Sequence, residues 1–215
     1  MTTPPVAYLE IEVKFHLLDL DLLRAALRAR GARLERSRIL ETNLRYDTPD
    51  GALAERGDIL RLRRSADARL THKRPSQPAG ELNARPEVEA VVADFEATRE
   101  LLERLGFVVV MRYEKYREAY LLGTVEVALD ELPFGFFVEL EGPTAEALRL
   151  AAEALGLAWH QAFQGSYVSI FNWLRMHQGL AVRDMTFAAL AGIEFTDLGL
   201  PHSAAETANI ARWKP

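Results

Sequence analysis

Charged residues recur in this chain as sets two positions apart, within short segments whose intervening residues are apolar. Glu10, Glu12 and Lys14 form the first set, followed by Arg61 and Arg63, Glu87 and Glu89, Lys115 and Arg117, and Glu139 and Glu141. In an extended chain, residues i and i+2 share a face, so each set marks a strand with one charged and one hydrophobic side. The intervening residues agree: Leu9, Ile11, Val13 and Phe15 alternate with the first set, Leu60 and Leu62 with the second, and Val138 and Leu140 with the last. Lys73 lies in a sixth segment of this kind. Any single pair is adequately explained as the solvated side of an antiparallel sheet. Six such strands, with cations and carboxylates in place of the usual mixture of Thr, Ser and Gln, point to another geometry. The strands would close into an antiparallel β-barrel, with the charged faces inward and helices packed over the apolar exterior. The expected fold class is therefore α+β.

A lumen carrying both signs of charge binds a charged ligand. Carboxylate oxygens suit hard cations such as Mg2+ or Mn2+, which are usually held by one or two carboxylates plus substrate phosphates. Guanidinium forks match phosphate oxygens in pairs and lysine acts as a point charge. Arg61, Arg63, Lys73, Lys115 and Arg117 thus form a polyanion clamp, best suited to an extended phosphate chain.

Composition narrows the alternatives. At 215 residues, 49% of them hydrophobic, the chain can bury a core unaided. It has no cysteine, which excludes disulfides, thiolate metal sites and cysteine nucleophiles. Its net charge of -5 argues against a nucleic-acid partner. No segment approaches the ~18 unbroken apolar residues of a membrane span, and the start lacks a signal-peptide pattern. A cytoplasmic protein with no membrane partner is expected, as a monomer or homodimer.

Along the chain, residues 7–17 read as a strand and 19–30 as a helix closed by Gly31. Residues 34–46 and 59–64 read as strands of a hairpin, separated by the turn Asp47-Thr-Pro-Asp-Gly51. Further strands are predicted at 69–73 and 87–92, with a mobile loop at 75–80 between them. A helix over 95–105, ended by Gly106, precedes strands at 107–117, 118–122, 124–129 and 136–141. Helices follow at 143–155, 166–177 and, briefly, 187–191. A helix-Gly-strand device recurs at Gly31, Gly106 and Gly156. Residues 1–179 are expected to form one domain, with 180–215 an extension packed on it.

The ordered motifs resemble those of the CYTH superfamily, the triphosphate tunnel metalloenzymes, which include class IV adenylate cyclases, thiamine triphosphatases and tripolyphosphatases. Glu10-Ile-Glu12-Val-Lys14 is similar to that family's N-terminal Glu-x-Glu-x-Lys. Tyr46-Asp-Thr-Pro, Leu60-Arg61-Leu62-Arg63, Leu70-Thr71-His72-Lys73 and Glu87-Val-Glu89 resemble its successive strands in order. Lys115-Tyr-Arg117, Val127-Ala-Leu-Asp130, Val138-Glu139-Leu140-Glu141 and Ser166-Tyr167 extend the likeness, which spans roughly residues 7–177. The resemblance implies a tunnel that binds a small-molecule triphosphate through Lys14, Arg61, Arg63, Lys73, Lys115 and Arg117. It implies Mg2+ or Mn2+ on Glu10, Glu12, Glu139 and Glu141, supported by Asp130, Glu87 and Glu89. Glu10, Glu12, Lys14 and Lys73 are the catalytic residues in this reading.

Two chemistries share such a tunnel: hydrolysis of the terminal phosphoryl group, and cyclisation of a nucleotide. The cyclase branch typically carries a His-Phe pair before its acidic motif, whereas Pro4-Pro-Val-Ala-Tyr8 stands here, which favours the hydrolase. A noncatalytic polyphosphate-binding module is a further alternative, although its carboxylates would repel the ligand. RNA 5′-triphosphatase activity ranks lower, given the net charge. His16, His72, His160, His177 and His202 lack metal-ligand spacing. Phe163, Tyr167, Ile170, Phe171 and Leu174 are expected in the core. Trp159, Trp173 and Trp213 are read as packing anchors.

Overall fold

The computed structural model describes residues 8–79, 82–195 and 198, with 8–10 and 79 described by backbone alone. Among the described residues nine strands form one antiparallel sheet: β1 (Tyr8–Leu17), β2 (Arg33–Asp47), β3 (Ile59–Arg64), β4 (Ala68–Lys73), β5 (Gln77–Ala79), β6 (Leu82–Val92), β7 (Val108–Leu122), β8 (Val125–Leu132) and β9 (Gly135–Gly142). Their order is β1-β9-β8-β7-β2-β3-β4-β6-β5, and an additional β1–β6 pairing closes eight of them into a ring. The seam is short, running from Tyr8 opposite Glu87 to Ile11 opposite Ala84.

Helices α1 (Asp21–Ala29), α3 (Phe95–Arg104) and α4 (Ala145–Ala154) cover the outside, while α2 (Ala52–Glu55) is a single turn. α1 and α4 bury Leu23, Leu27, Leu148 and Ala152 against the outward-facing Val13, Phe15, Val127, Val138 and Leu140. α3 places Phe95 and Leu102 on Leu44, Tyr46 and Leu62. Each fully buried aliphatic or aromatic side chain is worth roughly 1.5–3 kcal/mol, so these two layers are what hold the charged faces inward. Caps fix where the helices begin: Asp94, Thr144 and Ser166 accept hydrogen bonds from the backbone N–H of Ala97, Ala147 and Ser169. Helix α5 (Tyr167–Gln178) lies against one end of the ring. There Tyr167, Ile170, Phe171 and Leu174 pack with Tyr113, Phe137 and Phe163, as the sequence anticipates.

The glycine device is real at the level of hydrogen bonds. After α1, α3 and α4, Ala32, Phe107 and Leu157 donate back to Leu27, Leu102 and Ala152, with each intervening glycine at positive φ. The third copy leads into a 3-10 turn at Trp159–Gln161 rather than a strand. Three further expectations are corrected. Gln77–Ala79, expected in a mobile loop, pairs with Leu82–Ala84 as an edge strand, where Pro78 needs no ladder donor on its free side. Residues 108–122, read as two strands, form one. Residues 187–192 form hydrogen-bonded turns in place of a short helix.

Beyond residue 179 the described chain stays on the same body. Met185 donates to the carbonyl of Arg112 and accepts from the N–H of Glu114, adding a short parallel bridge beside β7. Leu190 and Leu198 join the α5 core. No helix among the described residues is long and apolar enough to cross a membrane.

Candidate active site

The ring encloses a cavity of about 590 Å3. Every charged residue singled out from strand parity lines it, apart from Glu10, whose side chain lies outside the described residues: Glu12, Lys14, Arg61, Arg63, Lys73, Glu87, Glu89, Lys115, Arg117, Glu139 and Glu141. In the backbone register of the seam Glu10 lies opposite Arg85.

The register divides the lining into two walls. On β1, β9 and β8, Glu12 lies opposite Glu141, and Glu141 opposite Glu126, so three carboxylates run in a row across adjacent strands. One step along, Lys14 lies opposite Glu139 and its ammonium bridges Glu12 and Glu139, the latter at 3.1 Å. Burial works against the Lys14 charge, but those two carboxylates outweigh it and raise its pKa. Burial likewise opposes ionisation of Glu139, and Arg117, Lys14 and Lys115 overcome it, holding its carboxyl well below the usual range.

The other wall, on β2, β3, β4 and β7, is cationic. Arg117 forks onto Asp130, with Nε to Oδ1 at 2.7 Å and Nη2 to Oδ2 at 2.6 Å, and also reaches Glu139 at 2.9 Å. Lys115 and the Tyr167 hydroxyl donate to the same Asp130 Oδ2, at 3.1 and 2.8 Å. Asp130 is thus wholly buried behind the wall and occupied by three donors, which makes it the anchor of Lys115 and Arg117. Arg63 and Arg69 approach Glu89 at 3.5 and 2.7 Å, Thr71 donates to Glu89 at 2.8 Å, and Lys73 pairs with Glu87 at 2.6 Å. Arg61 reaches the Tyr113 hydroxyl at 3.4 Å. Arg45 joins the lining as well; burial, together with Arg85 and Arg61 nearby, lowers its pKa.

Strand parity alone missed Glu41, Asn43 and Arg45 on β2, Arg69, Arg85, and Glu126 on β8. The signal was present in the alternation Glu41-Thr-Asn43-Leu-Arg45, but register shifts at Arg36 and Ile39 break the pattern just upstream. The motif residue Asp47 has a structural role: its carboxylate accepts from the backbone N–H groups of Thr48, Leu53 and Ala54 and fixes the β2–α2 turn.

The carboxylate wall offers hard oxygen donors. Among the described residues, no group of three or more carboxylates or histidines is placed to hold a metal ion by itself. That suits an ion completed by substrate oxygens, since Mg2+ typically takes one or two carboxylates with phosphates and water.

Comparison with known proteins agrees with this architecture. A Methanocaldococcus jannaschii protein provisionally named an adenylate cyclase is 27% identical over 135 residues, covering 62% of this chain and 76% of its own. The crystal structure of a Vibrio parahaemolyticus protein, provisionally described as an adenylate cyclase, superposes with a TM-score of 0.68 at 21% identity, covering 77% of this chain and 99% of that one. A Hippeastrum protein, provisionally described as an adenylyl cyclase and reported to have a dominant triphosphatase activity, superposes with a TM-score of 0.57 at 21% identity, covering 77% and 95%. The model of the CYTH domain matches residues 8–165, the whole ring and its outer helices α1 to α4. The chain belongs to the CYTH domain family.

Proposed function

We propose that this protein is a divalent-metal-dependent triphosphatase that hydrolyses a small molecule bearing a triphosphate: tripolyphosphate, thiamine triphosphate or a nucleoside triphosphate. The observation supporting it most is the division of one cavity into a carboxylate row and a facing wall of cations. Arg61, Arg63, Lys73 and Lys115 would bind phosphate oxygens, with Arg117 held in place by Asp130 and Glu139. One or two of the carboxylates Glu10, Glu12, Glu139 and Glu141 would hold Mg2+ or Mn2+ together with phosphate oxygens, and the ion would supply charge neutralisation and polarise the attacking water. Lys14, between Glu12 and Glu139, bridges and orients those carboxylates. Phosphoryl transfer needs little covalent help, so positioning and charge neutralisation by these side chains are the catalytic contribution.

Cyclisation of ATP is the second reading, favoured by the names given to relatives. Against it, the described aromatic residues lining the cavity are Tyr113 and Tyr167, whose hydroxyls are engaged with Arg61 and Asp130. The ring of Tyr167 is also faced by the ammonium groups of Lys14 and Lys115, at 5.4 and 5.3 Å.

The test is an assay of phosphate release and cyclic AMP from tripolyphosphate, thiamine triphosphate and ATP, each with Mg2+ or Mn2+. Phosphate release is expected, and Glu12→Ala should lower kcat by about a thousandfold while triphosphate still binds. Cyclic AMP as the main product would move the assignment to the cyclase. Tight binding with neither product would leave a noncatalytic polyphosphate-binding module.

A further inference from the structure

Within the cation wall, Glu41 occupies an unusual position. It lies mid-strand on β2, wholly inaccessible, and neither carboxylate oxygen accepts a hydrogen bond. Three cations surround it at longer range: Arg36 Nη1 at 3.8 Å, Arg63 Nη1 at 3.9 Å and Lys115 Nζ at 3.8 Å. Two residues along the same face, Asn43 is equally buried and its amide is also without a partner. Buried carboxylates normally take hydrogen bonds from whatever donors are near. Here two of the donors are drawn elsewhere, Arg63 toward Glu89 at 3.5 Å and Lys115 to Asp130 at 3.1 Å. Burial alone would raise the carboxyl, but Lys115, Arg117, Arg63 and Arg61 outweigh it and hold it at about 2, so Glu41 stays charged.

We propose that Glu41 is a positioning residue that sets how tightly the wall grips phosphate, by holding Arg36, Arg63 and Lys115 in place in the empty lumen and competing with bound phosphate for them. A phosphate oxygen then meets cations already partly neutralised from behind. It binds less tightly, and product leaves sooner, than at an uncompensated cluster. The inference rests on the reading of this cavity as a triphosphate site.

Glu41→Gln removes the charge while keeping the shape. Steady-state hydrolysis of tripolyphosphate, product inhibition by inorganic phosphate, and calorimetric binding of both ligands distinguish the outcomes. KM for tripolyphosphate and the inhibition constant of phosphate should both fall about tenfold, with kcat lowered as release slows. A residue that merely supports the fold would lower kcat or raise KM without tightening phosphate, and that result would overturn the inference. Where the glutamine variant does not fold, Glu41→Asp withdraws the charge by one methylene and should tighten phosphate in the same direction, to a smaller extent. Weaker phosphate binding in that variant would equally overturn it. Wild-type protein that binds neither ligand would overturn the reading of the cavity and this inference together. Wild-type binding with no tightening in either variant would overturn the inference alone.

Discussion

The cation wall and the carboxylate wall of the ring are built on opposite terms. On the first, charge is compensated within the protein: Lys115 and Arg117 lean on Asp130, Arg63 and Arg69 on Glu89, and Lys73 on Glu87. On the second, like faces like, with Glu12 opposite Glu141 and Glu141 opposite Glu126. Like charges directly opposed across a sheet cost up to about 1 kcal/mol a pair. The cation wall is therefore stable while empty, and its compensation limits how strongly it holds an anion. The carboxylate wall keeps like charges face to face with Lys14 offsetting part of the repulsion, and a divalent cation would reduce the rest. This division places rigidity on the phosphate side and ion dependence on the other.

Asp130→Asn should break the contrast most severely, because it leaves Arg117 and Lys115 buried without their shared carboxylate. Removal of one partner from a buried charge pair costs about 3–5 kcal/mol, to be read from urea unfolding of variant and wild type. A loss below ~1 kcal/mol would show that the wall is not held by internal pairing. Acid should act next, and in a defined direction. The folded value of Glu41 lies near 2, below its ordinary 4.5, so its contribution is complete above 4.5 and disappears as pH falls toward 2. That linkage amounts to about 3 kcal/mol, seen as a fall in the urea midpoint over this window and a shallower fall in Glu41→Gln. The smallest effect sharpens the comparison on the other wall. Glu126→Gln should stabilise the metal-free protein by up to about 1 kcal/mol and shrink the rise in Tm produced by Mg2+. Destabilisation of the metal-free protein by this change would mean that the row is already relieved internally.

Much of this was legible in the sequence where a single physical rule applies throughout a segment. Ile59–Arg64 was bounded correctly because nothing interrupts its alternation. The predicted break in β7 falls at Glu118, a charge on the apolar side of the strand. In the structure Arg24 of α1 meets it at 2.8 Å, a tertiary partner that no local pattern reveals. Glu41 escaped notice because the bulges before it hide its parity, and because an isolated acid beside Asn43 does not look like part of a basic clamp. Asp130 was grouped with possible metal supports by motif, whereas two of its donors, Lys115 and Arg117, come from the paired strand β7 and the third, the Tyr167 hydroxyl, depends on α5 arriving from later in the chain. Local spacing thus indicated which side chains face inward, while the distribution of charge between them depended on contacts distant in sequence.

The short seam between β1 and β6 has a consequence for synthesis. β1 is made before every other strand, yet one of its edges is completed by β6 and the other by β9, where Lys14 meets Glu139. During translation it must wait, with one charged and one apolar face, until the ninth strand has left the ribosome. Pairings of such long sequence separation form slowly, and an unpaired strand edge invites association with other chains in the interval. The alternating charges of Glu10, Glu12 and Lys14 would then act as a guard on the nascent strand before they serve any ligand.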